Sequence, residues 1–223
     1  MYKIYIIRKT RGPHQKMTHA STGPSRGRPA APIRGLIAVS EAVLSVEKWA
    51  VAFFMALVMG LILLNVVTRY AGAPLYWVDE AAVYAVVWLT FIGGSALTRL
   101  RLDFAVTLLS EKLSPVNAER LRALATFIAL LFAIGLIAMC WTWMDPIGIA
   151  SAGFDAREYA AESFNFLYTE HTQTLNWPTW IVSLVVPLFA VTLTVHTAAN
   201  LVEELGLAPK MVRTDFTTAE GVN

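Results

Sequence analysis

Four apolar runs free of Asp, Glu, Lys and Arg divide this chain: between Lys48 and Arg69, between Glu80 and Arg99, between Arg122 and Asp145, and from Trp177 to His196. At 1.5 Å per residue, a helix of about 20 residues crosses the roughly 30 Å hydrocarbon core of a bilayer. Backbone in lipid has no water to bond, so each run must satisfy its own N–H and C=O groups as a helix. The expected fold class is all-α integral membrane, with four transmembrane helices over about 49–69, 79–99, 121–144 and 177–199. Composition points the same way. Of 223 residues, 56% are apolar and 15% charged, where soluble domains run about 45–50% and 25%.

The segments around these runs give a three-part organisation. Residues 1–33 are basic, rich in Gly, Pro, Ser and Thr, and contain no acid, so they are expected to form a disordered tail held near an anionic membrane face. Residues 34–205 are read as the membrane domain and 206–223 as a second tail. From Leu36 to Trp49 the apolar residues Leu36, Val39, Val43, Val46 and Trp49 recur at helical spacing, with Arg34, Glu41, Glu47 and Lys48 on the remaining face. That pattern predicts an amphipathic lead-in, either separate or continuous with the first span. Asp103 to Leu113 reads as a short interfacial helix before Ser114-Pro115. Within the long 145–176 loop, DAREYAAESFNFLY predicts a short helix with Tyr159, Phe164 and Leu167 on its apolar side. Pro187 predicts a kink in the fourth span.

Orientation follows from the basic residues. Nine Lys and Arg precede the first span, and five (Arg99, Arg101, Lys112, Arg120 and Arg122) lie between the second and third. Arg69 is the one basic residue of the first-to-second loop, and Arg157 that of the third-to-fourth. Both termini and the middle loop are therefore expected in the cytoplasm. Tyr70, Tyr76, Trp77, Trp141, Trp143, Trp177 and Trp180 fall at the opposite ends, as one half of an aromatic belt.

The chemistry available to this chain is narrow. No span interior carries Asp, Glu, Lys or Arg, and ion or proton paths through lipid are normally built from such groups. A haem anchor needs axial ligands inside helices. Of four histidines, His196 alone lies near a span, at its predicted cytoplasmic end, where it reads as an interfacial polar residue. The lone Cys140 excludes an internal disulfide and a multi-cysteine metal site. No phosphate loop, zinc spacing or nucleophile constellation is present, so no cofactor and no enzymatic activity are expected. The basic tail belongs to no folded nucleic-acid module, and lipid is its expected contact. Three functions remain open: an accessory subunit of a transporter, a redox anchor for haem or quinone, and a stand-alone membrane scaffold.

The hairpin between the first two spans is the most informative stretch. Arg69, at the end of one helix, stands across a short loop containing Pro74 from Asp79 and Glu80, at the start of the next. Either acid is placed to pair with it, and an acid at a helix N-terminus is favoured by the macrodipole. Gly93, Gly94, Ser95 and Ala96 form a small-residue patch that lets a neighbouring helix approach. The ordered set Asn65…Arg69-Tyr70, Pro74-Leu75-x-Trp77-x-Asp79-Glu80, Tyr84…Trp88…Phe91-x-Gly93, then Arg99…Asp103 and Asn176-Trp177-Pro178-Thr179-Trp180 resembles the small permease subunit of tripartite ATP-independent periplasmic (TRAP) transporters. The chain departs from that pattern at Val83, where the family often has Arg. It departs again at Arg99-Leu-Arg-Leu, where a Gly-His pair often precedes the Asp.

The resemblance implies a multi-pass protein of the bacterial inner membrane. It implies assembly with a large permease, a periplasmic binding protein that delivers an organic acid, and uptake driven by sodium. Asn65, Arg69, Tyr70, Trp77, Asp79, Glu80, Tyr84, Trp88, Gly93, Arg99 and Asp103 carry over as positions with structural or interface roles, not as substrate ligands.

Overall fold

A computed structural model describes residues 30–102 and 112–210. Residues 103–111 of the expected interfacial helix, with the site residue Asp103, and most of both tails lie outside these residues. The described chain is helical: α1 Ala31–Tyr70, α2 Tyr76–Leu100, α3 Pro115–Met144, α4 Pro146–Ser151, α5 Ala156–Ser163, α6 Thr179–Ser183 and α7 Val185–Glu204. Four of its helical stretches are long and apolar enough to cross a membrane, with α3–α4 and α6–α7 each counting as one.

The lead-in is not a separate element. α1 runs unbroken for 40 residues, about 60 Å at 1.5 Å per residue. Pro32 sits in its first turn, where a missing N–H costs nothing. Its polar and apolar faces are also placed opposite to a soluble amphipathic helix. Val39, Val46 and Trp49 are exposed, whereas Ser40, Leu44 and Glu47 are buried against α7. The acids on the polar stripe find partners on other helices, and the apolar stripe is left to the lipid-like surroundings of a membrane protein.

α1 stops at a turn that only glycine accommodates easily. Gly72 has φ +73°, and the N–H groups of Ala71, Gly72 and Ala73 close onto the last helical carbonyls. Pro74 then leads into α2. Along this hairpin Leu61, Val78 and Ala85 form a buried cluster, with Phe54, Leu57 and Val58 packed on it.

The fourth span is interrupted at Leu184, three residues before Pro187. Proline at 187 has no N–H to give to the carbonyl four residues back and its ring crowds that turn. The adjacent carbonyl of Val182 takes a bond from another helix, Trp88 Nε1 at 3.1 Å.

α7 is the hub of the arrangement. It packs against α1, α2 and α3, and α1 and α2 pack against each other. The small-residue patch works as expected at Ser95 and Ala96, both buried. Ser95 Oγ lies 2.7 Å from Thr192 Oγ1, and Phe91 meets Phe189 edge-on. Gly94 faces Phe189 too, but Gly93 has open space beside it.

The 145–176 loop is folded rather than irregular. Asp145 turns the chain with φ +39° and caps α4 through Gly148 N–H. Asp155 caps α5 through the N–H groups of Arg157 and Glu158. These two charge-assisted bonds hold the Asp155 carboxyl below its ordinary range. Tyr159 and Leu167 are buried as expected, but Phe164 is 80% exposed. It is the left-handed cap that ends α5 (φ +57°), so it leaves the helix before it can join the apolar side.

Candidate functional site at the two charged ends of the helices

Charged side chains gather at the two ends of the α1–α2–α7 group. At the hairpin end, α1 supplies Asn65 and Arg69 one turn apart, and the first turn of α2 supplies Asp79. Arg69 Nη2 donates to Asp79 Oδ2 at 2.6 Å, and Arg69 Nε donates to Asn65 Oδ1 at 2.7 Å. Asn65 Nδ2 in turn donates to the other Asp79 oxygen at 2.5 Å. The triad is a closed ring of charge-assisted bonds, half exposed, with relative accessibilities of 58% for Arg69 and 49% for Asp79.

Glu80 does not join it. Its Oε2 accepts the N–H groups of Thr174 (2.7 Å) and Leu175 (2.9 Å) and the Thr174 hydroxyl, while Oε1 accepts Gln173 N–H at 2.9 Å. One carboxylate thus gathers three consecutive backbone donors that no regular element would satisfy. The tethered loop is closed on itself by Thr172 N–H to Trp177 O at 2.8 Å and Thr179 N–H to Glu170 O at 3.0 Å. Tyr70, Tyr76, Trp77 and Trp177 surround this end with exposed aromatic surface. Tyr84 and Trp88 follow on α2, each half-buried, and Trp88 stacks on Phe54 of α1.

The opposite end holds a larger and drier cluster. Arg99, 2% exposed, is surrounded by three helices. It donates to Glu41 of α1 (Nε 2.9 Å, Nη2 2.7 Å), to Glu203 of α7 (2.8 Å) and to Asn200 Oδ1 (2.5 Å). Asn200 Nδ2 donates back to the Thr98 carbonyl at 2.7 Å. Arg101, just past α2 with φ +58°, bonds Glu203 at 2.8 Å and also pairs with Glu204, which holds Lys210 at 2.8 Å. Among the described residues, three cations (Arg99, Arg101, Lys210) therefore face three carboxylates (Glu41, Glu203, Glu204), so each charge has an opposite one beside it to offset its desolvation cost.

Next to it along α1, and one turn away from Asn200 along α7, lies a second buried group. His196, fully buried, has Nδ1 2.8 Å from Ser40 Oγ and Nε2 3.0 Å from Glu47 Oε2. His196 is thus an interhelical tie between α7 and α1. Both its ring nitrogens are engaged, so it offers neither to a haem iron.

Of the residues expected to matter, Asn65, Arg69 and Asp79 are brought into one site, Glu80 and Trp88 into contacts with the 170–184 segment, and Arg99 into the opposite cluster. Glu41, Glu47, His196, Asn200 and Glu203 were not expected as a set. Their signal was present: His196, Asn200 and Glu203 recur at helical spacing on an otherwise apolar helix, the pattern of one polar stripe turned toward a neighbour. The arrangement clamps helices at both ends. It holds no metal-ligand cluster among the described residues.

Comparison with known proteins agrees with this reading. Residues 58–206, more than half of the chain, match the family model for the DctQ component of tripartite ATP-independent periplasmic transporters. A C4-dicarboxylate TRAP transporter small permease protein, DctQ, of Vibrio cholerae is 29% identical over 104 residues. That match spans 46% of this chain and 44% of the relative, less than half the length of each. No solved structure matches. With four apolar helices and a family match across all but the start of the helical region, the chain belongs to the DctQ family, the small membrane component of TRAP transporters.

Proposed function

We propose that this chain braces the large permease of a TRAP transporter during sodium-driven uptake of an organic acid delivered by a periplasmic binding protein. It works from the bacterial inner membrane with both termini in the cytoplasm. The observation that carries the reading is the placement of charge. α1 and α2 are tied by ionic clusters at both ends and α7 joins them at the Arg99 and His196 end, while the span centres carry no Asp, Glu, Lys or Arg along which a solute or ion would move. A rigid, neutral-centred plate suits a support for another subunit's moving parts.

In this reading Asn65, Arg69, Asp79, Tyr70 and Trp77 present the hairpin to the large permease. Glu80, Trp88 and Arg99 hold the presenting surface in shape, and the loop between the second and third spans, with Asp103, faces the cytoplasm. The folded 145–176 loop meets the binding protein or the outer face of the large subunit. Family membership supports the partners in kind, and the distribution of Lys and Arg supports the orientation.

The test is reconstitution. Vesicles holding this chain, its large partner and the binding protein are expected to accumulate a carboxylate under a sodium gradient, and vesicles lacking this chain are not. Arg69→Ala is expected to lower recovery of the large subunit on this chain. Accumulation by this chain alone would overturn the assignment.

A further inference from the structure

The chain between α3 and the fourth span does not rise away from the bundle. Arg122 and Asp145 stand 23 positions apart at the two limits of the third apolar run, about 35 Å at 1.5 Å per residue. That is close to the thickness of a hydrocarbon core, so Trp143 and Met144 lie at its hairpin-side boundary. The returning segment is tied to this level. Asn165 Nδ2 donates to the Trp143 carbonyl at 2.8 Å, the Tyr168 hydroxyl to the Met144 carbonyl at 2.6 Å, and the Tyr159 hydroxyl to Asp145 Oδ2 at 3.0 Å. Tyr168 also meets the ring of Trp180, in the opening turn of the fourth span.

Around these ties Ile147, Phe154, Phe164 and Phe166 are exposed. Phe154 and Phe164 flank α5 at 75% and 80% exposure, and both hold left-handed backbone, φ +62° and +57°. Glycine takes that conformation freely, and a bulky residue is an outlier there. A ring that neither packs nor suits its backbone contributes little to the fold, so its use lies in what it meets.

From this placement we infer that the 147–166 segment is an interfacial anchor, its rings entering the headgroup–acyl boundary of the leaflet on the hairpin side. Continuity selects lipid over protein. Met139, Trp141 and Trp143 on α3 are exposed, α3 packs on α7 at the flank of the bundle, and indoles at a span end mark the headgroup level. The phenylalanines extend that same surface. Phe154 also lines one hollow with Met144, Trp180 and Leu184, the last at the break in the fourth span. Its ring therefore stands on the side of the loop turned toward the spans, away from a protein arriving through water. Asp155, Glu158 and Glu162, at i, i+3 and i+7, are exposed and give α5 a wet stripe, as an element lying in the interface needs. That stripe stays open to a soluble partner. Five acids against the single Arg157 within 145–176 favour zwitterionic over anionic heads.

The test uses the full-length chain in vesicles of ethanolamine and choline phospholipid, with and without its large subunit. On a Cys140→Ala background, Phe154→Cys, Phe164→Cys and Phe166→Cys each carry a nitroxide. Oxygen concentrates among acyl chains, whereas a nickel chelate stays in water. All three labels are expected to relax several-fold more with oxygen than with the chelate, as is Met139→Cys on α3, and Glu158→Cys is expected to show the reverse. A second reading keeps the ring: p-benzoylphenylalanine in place of Phe164 is expected to form an adduct with phospholipid on illumination.

Chelate-dominated relaxation at 154 and 164 without a lipid adduct overturns the inference. Closure of those sites to both reagents, or an adduct with the large subunit in the complex, overturns it as well. The isolated-chain measurements stand whether or not the permease assembly forms.

Discussion

Arg99 shows how much a single side chain can hold when three helices close on it. Its guanidinium bonds Glu41, Glu203 and Asn200 at once, so removing it takes away the one charge that joins three helices and leaves the buried Glu203 a single carboxylate oxygen short of its partner. Arg99→Met is expected to destabilise the fold by about 3–5 kcal/mol, the usual cost of breaking a buried pair from one side, as read from a denaturant titration in detergent. His196 and Glu47 form the second tie, and a double-mutant cycle of His196→Leu and Glu47→Gln is expected to give a coupling of about 0.5–3 kcal/mol. Zero coupling would mean that the contact contributes nothing to packing.

Asp155, outside the spans, gives a pH prediction. Its carboxyl titrates below the ordinary range because two N–H groups bond the charged form. The α5 cap is therefore complete above that ordinary range and is lost as pH falls through the lowered value. The protection of the Arg157 and Glu158 amides, taken relative to the intrinsic exchange rate at each pH, is expected to fall in acid and to stay constant with pH in Asp155→Asn. Sequence spacing set Arg69 across a short loop from both Asp79 and Glu80 without choosing between them, and the structure pairs it with Asp79. Spacing could not show that Glu80 serves Gln173–Leu175, more than ninety residues away, since backbone donors carry no sequence signature.

The helices themselves were readable from charge-free length alone, and their limits less so. Lys48 marks the start of the first apolar run, yet α1 begins seventeen residues earlier at Ala31. Charges on the lead-in mark a helix face, not a helix end. Which way that face points depends on what lies opposite: in water the acids turn out, and here they turn toward Arg99 and His196. Pro187 announced a break in the fourth span, and the structure places it at Leu184, with Trp88 serving the carbonyl of Val182. Trp88→Phe keeps the stacking on Phe54 but forfeits that bond. It is expected to cost about 1 kcal/mol and to raise amide exchange selectively around 182–186. Uniform exchange across α6 and α7 would refute a local role.

At the scale of the molecule, the number of spans follows from composition and pattern, whereas their neighbours do not. Nothing in four similar oily runs says that α7 occupies the middle and α3 the flank. That order emerges from small residues such as Ser95 and Ala199 permitting close approach and from the polar stripe of α7 meeting α1 and α2. Removing α3's neighbour contacts should therefore be survivable: bulky substitution at Ala133, buried on α3, is expected to loosen α3 while the Arg99 and Arg69 clusters stay closed, checked by cysteine crosslinking between α1 and α2. The unbroken α1 has a mechanical corollary. It is cross-tied to α2 near both of its tips, so the pair resists sliding and responds to a sideways load by pivoting as one spar. Over roughly 60 Å, a slight tilt imposed on one membrane face becomes a displacement of several ångströms on the other.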